Sequence, residues 1–180
     1  MSREAYTPLA VKGLAWVIVM LVLAGPAFAE SEIQSKYDKF KNLTVVSTKP
    51  VEVHRGFGGS LTLSFSYICE GNTDSCHPDR VFAEFQANSM MRLYKEDHSV
   101  IFLADRARIL PVEKEGWHCD VGADAVSVRA YETITAQLKV ADFLKFAGAT
   151  HVAAEVGPTR FTVKGKDLEL WQELAKKIGH

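Results

Sequence analysis

The chain has 180 residues, 47% of them hydrophobic and 24% charged, with 21 basic against 22 acidic side chains. That composition is globular and excludes wholesale disorder or a fibrous repeat. A net charge of −1 gives no electrostatic case for nucleic acid or an anionic membrane as the main partner.

The first 29 residues read as a cleaved signal peptide. Lys12 precedes the apolar run Gly13 to Ala24, Gly25-Pro26 breaks it, and Ala27 and Ala29 supply the small side chains that a signal peptidase accepts. The competing reading is an N-terminal anchor, but the run is short of the roughly 20 residues needed to cross a bilayer. No cysteine lies near the cleavage site, which argues against a lipid-anchored form. Residues 30–180 are then expected to be a single β-rich α+β domain, periplasmic or secreted, meeting a membrane only transiently through the signal peptide. A domain of that length buries about 68–70% of its unfolded surface and needs no metal to fold.

Along this domain, Ile33, Tyr37 and Phe40 recur at offsets of four and three, which predicts a short helix over Ser31 to Asn42. Leu43 to Thr48 reads as a strand, rich in β-branched residues and interrupted by Pro50. Val51 and Val53 resume an alternation before the glycine-rich turn Gly56 to Gly59. Leu61, Leu63, Phe65 and Tyr67 alternate with Thr62, Ser64 and Ser66, the pattern of a half-buried strand. Val81, Ala83 and Phe85 supply its antiparallel partner. Two short strands, Val100 to Leu103 and Arg108 to Val112, flank a tight hairpin at Ala104-Asp105-Arg106.

Gly116 to Asp124 reads as an exposed loop. Val126, Val128, Ala130, then Ile134, Ala136, Leu138 and Val140 share one parity, a long strand. A short helix follows over Ala141 to Ala147, with Phe143, Leu144 and Ala147 inward and Gly148 as its stop. Val152 to Val156 and Arg160 to Val163 are strands joined by Gly157-Pro158. Asp167 to Ile178 carries Leu168, Trp171, Leu174, Ala175 and Ile178 at helical spacing, with Lys176 and Lys177 in the last turn, where a helix favours cations. Strands follow strands through short connections, so the fold class is α+β: an antiparallel β-sandwich or curved sheet with three helices.

Export sets the reading of the three cysteines, because an oxidising compartment lets nearby thiols pair. Cys69 and Cys76 bracket the turn-forming Glu-Gly-Asn-Thr-Asp-Ser and are the favoured disulfide. Closing that loop is worth about 2.5 kcal/mol in loop entropy. Cys119 is the odd thiol, and its pairing with Cys69 or Cys76 stays open.

Motifs that carry chemistry are sparse. Gly56-Phe57-Gly58-Gly59-Ser60 lacks the lysine of a phosphate loop and the glycine spacing of a dinucleotide fold, and a hairpin explains it more simply. Ser60 is not in a nucleophile elbow, since Thr62 stands where that motif needs glycine. Cys76-His77 and His118-Cys119-Asp120 juxtapose sulfur and imidazole, the ligands of zinc or copper. Yet no second ligand pair has zinc spacing, and adjacent strand residues face opposite ways. His118-Cys119 is also the one nucleophile candidate, Asp97-His98 resembles half of a triad in a polar turn, and Glu113 and Glu115 flank Lys114 on a solvated segment. Trp117, in a polar loop, is either a platform for a sugar or peptide or folds back over a sheet edge. Asn42-Leu43-Thr44 matches a glycosylation sequon, which matters only in a eukaryotic secretory path.

The run Tyr37 to Pro50, the run Ser99 to Asp105 and the tail from Thr133 to Ile178 resemble a family of signal-peptide-bearing bacterial proteins of unknown function. Its members share a Tyr-Asp-Lys-Phe-Lys opening, a Phe-Leu-Ala/Val-Asp-Gly hairpin and a Phe-Leu-Lys to Gly-Pro-Thr-Phe passage before a final amphipathic helix. Tyr37, Phe40, Phe102, Asp105, Phe143, Gly157, Pro158 and Phe161 carry the match, and Arg106 departs from it at the hairpin glycine. The resemblance implies export, bacterial origin and one β-rich domain, with no catalytic residues to carry over.

The expected function is a non-enzymatic exported domain without a cofactor that binds a protein or cell-envelope component through sheet edges and loops. A metal or redox protein using Cys69, Cys76, His77, His118 and Cys119 is the first alternative. A hydrolase built on Cys119 or on a carboxylate pair is the second.

Overall fold

The computed structural model describes residues 32–56, 59–113, 116–123 and 128–178; the stretch expected to be a signal peptide, and Phe57, Gly58, Lys114, Glu115, Asp124 and Val126, lie outside them. Eleven strands and two helices are arranged in chain order among these residues. The strands are β1 (Ile33–Asp38), β2 (Leu43–Thr48), β3 (Val51–Gly56), β4 (Gly59–Glu70), β5 (Arg80–Ser89), β6 (Val100–Ala104), β7 (Ala107–Ile109), β8 (Gly116–Ala123), β9 (Val128–Lys139), β10 (Val152–Val156) and β11 (Thr159–Val163). Helix α1 is Val140–Ala147 and α2 is Lys166–Ile178. All strand pairs are antiparallel.

The larger sheet runs β1-β2-β4-β5-β9-β8, with β3 also on β4. Period-two alternation decides its two faces. Leu61, Leu63, Phe65, Tyr67 and Cys69 of β4 point inward beside Val81, Ala83 and Phe85 of β5 and Ile134, Ala136 and Leu138 of β9, all of them buried. Between β2 and β3, which lie in turn along β4, Pro50 interrupts the run as expected. There the Phe65 amide donates instead to the Thr48 hydroxyl at 3.0 Å, so a side chain fills the gap in the ladder.

The smaller sheet runs β11-β10-β6-β7. Its hairpin at Asp105 is built by that residue: φ is +55°, and Oδ1 accepts the amides of Thr150 at 3.0 Å and His151 at 2.9 Å. Aspartate enters the left-handed region more readily than most residues, and these two long-range bonds hold it there, so the turn closes with Arg106 and no glycine. The inner faces of both sheets and one side of each helix share a single core. Phe65 stands at its centre, with ring centroids 5.0 Å from Phe143 and Trp171, 5.8 Å from Phe146 and 6.1 Å from Phe102. Burying such a ring is worth about 1.5–3 kcal/mol, which places much of the fold's stability in this cluster.

Helix α1 starts directly from the end of β9, and the Gly148 amide closes it by donating to Leu144 O at 2.9 Å. Its buried residues are Phe143, Phe146 and Ala147. Leu144, expected inward, is 36% exposed, because a helix this short turns only one narrow stripe to the core. In α2 the buried residues are Leu170, Trp171, Leu174 and Ile178, with Leu168 and Ala175 packed at the margin.

Two expected elements are corrected. Ser31 to Asn42 is not a helix: β1 pairs with β2 along its whole length, from Ile33↔Thr48 to Asp38↔Leu43. Three apolar residues make too small a stripe to bury, whereas the β-branched neighbour offers a ladder, so pairing overrides the helical spacing. Gly116 to Asp124 is not a loop: Gly116–Ala123 is β8, paired with β9 throughout. The polar and glycine residues that suggested a loop stand on its solvent-facing side.

Candidate functional site

β8 is the last strand of the larger sheet, and no described strand pairs with its far side. Its register opposes Trp117 to Ile134, Cys119 to Glu132 and Val121 to Ala130, so these three share the inner face. His118 and Asp120 occupy the outer face, where Nε2 of His118 lies 3.3 Å from Oδ1 of Asp120. β8 is less defended than β1 or β7. It has eight residues, no proline and no lysine, whereas β1 carries Lys36 and β7 has only three residues.

An internal clasp holds β8 in place. Glu132 on β9 is only 1% exposed, and its carboxyl accepts three N–H donors. Oε1 takes the Trp117 indole at 3.1 Å and the Tyr94 amide at 3.0 Å, and Oε2 takes the Leu93 amide at 2.7 Å. The carboxyl thus ties the segment between β5 and β6 to both β8 and β9. The His98 ring stacks on Trp117 at 6.2 Å, and the Tyr94 hydroxyl shares a 2.8 Å hydrogen bond with Thr159. Burial pushes the Tyr94 hydroxyl up from its ordinary pKa, and the Glu132 charge adds to that shift.

Trp117 is therefore a packed residue with a satisfied indole and not an open platform. Glu132 was invisible to motif matching, yet it left a signal: position 132 is the one charged residue on the inward parity of β9, between Ala130 and Ile134. A carboxyl in that phase must find donors or unfold the strand.

Other candidate groups are dispersed. Cys69 and Cys76 form the disulfide, with a Cα–Cα distance of 5.7 Å, so neither is a free thiolate. Its loop is fastened from three sides: the Tyr67 hydroxyl donates to Asp74 O at 2.9 Å, the Thr44 hydroxyl to Gly71 O at 2.6 Å, and Lys177 of α2 to Asp74 Oδ2 at 3.2 Å. His77 is exposed. Cys119 is half-buried, and its thiol donates to Asp120 O at 3.7 Å. His118 lies on the opposite face, so adjacency in sequence does not give the pair the contact that thiol activation needs. Among the described residues no three of His, Cys, Asp and Glu gather where they could hold a metal.

Oδ1 of Asp97 accepts from the amide and hydroxyl of Ser99, at 3.0 and 2.7 Å, which makes it the cap of a turn and not the partner of His98. Glu113 pairs with Arg80 and accepts from Gln137, an ordinary surface network. Gly56 opposes Gly59 across the β3–β4 hairpin, the turn that the glycines suggested. The asparagine of the sequon has φ +51° and accepts the Tyr37 hydroxyl at 3.0 Å. Among the described residues no helix is long and apolar enough to cross a membrane.

Comparison of the chain with models of protein families, with curated proteins and with solved structures finds no match.

Proposed function

We propose that the chain is an exported, non-enzymatic binding domain of the bacterial kind its sequence resembles, and that an extended segment of a protein partner adds to the sheet along β8. The observation that supports this reading is the length and openness of that strand. Along its eight residues, alternate ones turn their main-chain N–H and C=O to a side that no described strand occupies. Strand addition takes its affinity from such main-chain groups and its specificity from alternate side chains. Here Val121, 52% exposed on the inner face, and the His118–Asp120 pair on the outer face would read those side chains. The Glu132 clasp keeps the strand ordered before a partner arrives, which lowers the entropy lost on binding.

A peptide-display selection on the purified protein tests the reading. Selected peptides should bind saturably, protect the backbone amides of β8 from hydrogen exchange and lose affinity at least tenfold against Val121→Pro. Peptides that protect other strands, or that bind the proline variant equally, would remove the basis for the proposal.

A further inference from the structure

The opposite end of the same sheet carries a different surface. The β1–β2 turn is rigid by construction: Oδ1 of Asp38 accepts the amides of Phe40 at 2.9 Å and Lys41 at 3.2 Å, and Asn42 closes the turn with φ +51°. At its apex Phe40 is 91% exposed, the most exposed of the large hydrophobic side chains described. On the outer face just behind it stand Val45, 37% exposed, and its cross-strand partner Ile68, 40% exposed. Lys36, Lys39 and Lys41 surround this apolar ridge, all exposed and none in a salt bridge among the described residues. The Lys39 ammonium lies 5.3 Å from the Phe40 ring centroid. Asp38 is the carboxylate inside this ring, committed to the turn, and Glu70 on β4 is the cross-strand partner of Leu43.

We infer that this turn docks reversibly on the surface of an anionic phospholipid bilayer, with Phe40 entering the interface and the three lysines meeting the headgroups. Two features favour a bilayer over a protein. Phe40 stands almost fully exposed beside a surface recess that Lys36, Tyr37, Asp38, Lys39 and Val45 also line, and a fluid bilayer conforms to such relief without a matching surface. The basic charge encircles the apolar tip, the arrangement that places ammonium groups at headgroup level when the ring is buried. The near-neutral net charge does not oppose this, because attraction to an anionic surface is local and decays within about 10 Å. The inference is independent of strand addition at β8, since the two surfaces lie at opposite ends of the strand order.

Co-sedimentation of the full chain with vesicles tests it, using phosphatidylcholine alone and phosphatidylcholine with about one third phosphatidylglycerol. Any contribution of the leader is common to all variants, so the comparison between variants is the readout. Wild type should partition more strongly onto the anionic vesicles. Phe40→Ala should weaken partitioning about tenfold, and Phe40→Trp should retain it. Each lysine-to-glutamine change should cost about fivefold, and the triple variant should lose the preference for phosphatidylglycerol. Equal partitioning of wild type, Phe40→Ala and the triple variant overturns the inference. So does failure of wild type to prefer anionic vesicles, which would leave an acidic protein surface as the occupant of this turn.

Discussion

Glu132 and Trp117 sit on neighbouring strands, and the buried carboxyl of one receives the indole N–H of the other at 3.1 Å. The same carboxyl receives the amides of Leu93 and Tyr94, so one side chain fixes the outermost strand, its neighbour and a crossing segment. This contact holds β8 to the body of the sheet from within.

Removing the carboxyl therefore tests more than one hydrogen bond. Glu132→Ala leaves three N–H groups without an acceptor, each costing about 1–3 kcal/mol when buried, less whatever water the space admits. The expected loss of stability is about 3–5 kcal/mol in urea unfolding at neutral pH. Glu132→Gln keeps one acceptor oxygen but turns an NH₂ toward a donor, and should cost less, about 1–3 kcal/mol. Hydrogen exchange should show β8 opening before the rest of the sheet in both variants. A loss below 1 kcal/mol with β8 still protected would show that the clasp is dispensable.

Two glycines separate backbone strain from steric contact. Gly157 has φ +48°, and a Cβ there would lie 2.2 Å from the carbonyl oxygen of Asp97. Gly71 has φ +77° with nothing within 4 Å of the same position. Gly71→Ala should cost only the left-handed backbone penalty, about 1 kcal/mol. Gly157→Ala must also displace the segment that bonds Gly157 N to Ser99 O at 2.8 Å, and should cost about 3 kcal/mol or more. Thermal melts of the two variants give the comparison, and equal losses would place the Asp97 contact in doubt.

Acid should weaken the link between the disulfide loop and α2. The hydrogen bond from Lys177, then the Lys177 charge, holds the Asp74 carboxyl below the usual carboxylate range. A depressed folded pKa contributes stability above the unfolded pKa, near 3.9, and that contribution disappears as pH falls through the folded value. Asp97 behaves alike through its bond from Ser99. The stability difference between wild type and Lys177→Gln should be level above about pH 5 and shrink below about pH 4. Because the pair is exposed, salt near 1 M should reduce the difference at every pH. A difference that grows toward low pH would contradict the pairing.

Legibility in the sequence followed burial. β4, β5 and β9 were readable because alternation is strict wherever one face meets the core, as Leu61 to Tyr67 illustrate. Both helices were readable from stripes large enough to bury, though Leu144 marks how coarse a short stripe is. The outer strands were not. In β1 the inner-facing residues Ile33, Ser35 and Tyr37 are only partly apolar, so nothing but pairing with β2 defines the strand. In β8 the alternation of Trp117, Cys119 and Val121 was present but masked by glycine and charge on the other face. Edge strands are half-committed to solvent, and their composition reads as loop for that reason. The disulfide was legible because its spacing agreed with the export expected from the first 29 residues; Glu132 was not, since a lone acid in a strand carries no motif.

The disulfide offers the last test, and it bears on export as well as on stability. Cys69 is buried on the inner face of β4, so Cys69→Ala with Cys76→Ala leaves no stranded polar group. Loop entropy alone gives a cost of about 2.5 kcal/mol. The loop keeps its bonds from Tyr67, Thr44 and Lys177, so the native state should retain its fold and the loss should come mainly from a freer unfolded chain. Reduced wild type and the double variant should then unfold at the same urea concentration. A thiol titration adds a count: the native oxidised protein should show one reactive thiol, from Cys119, and the reduced, unfolded chain three. The protein recovered from its own cells should arrive with one. Three thiols in that sample would mean that the chain matures in a reducing compartment, and the reading of an exported domain would fall with it.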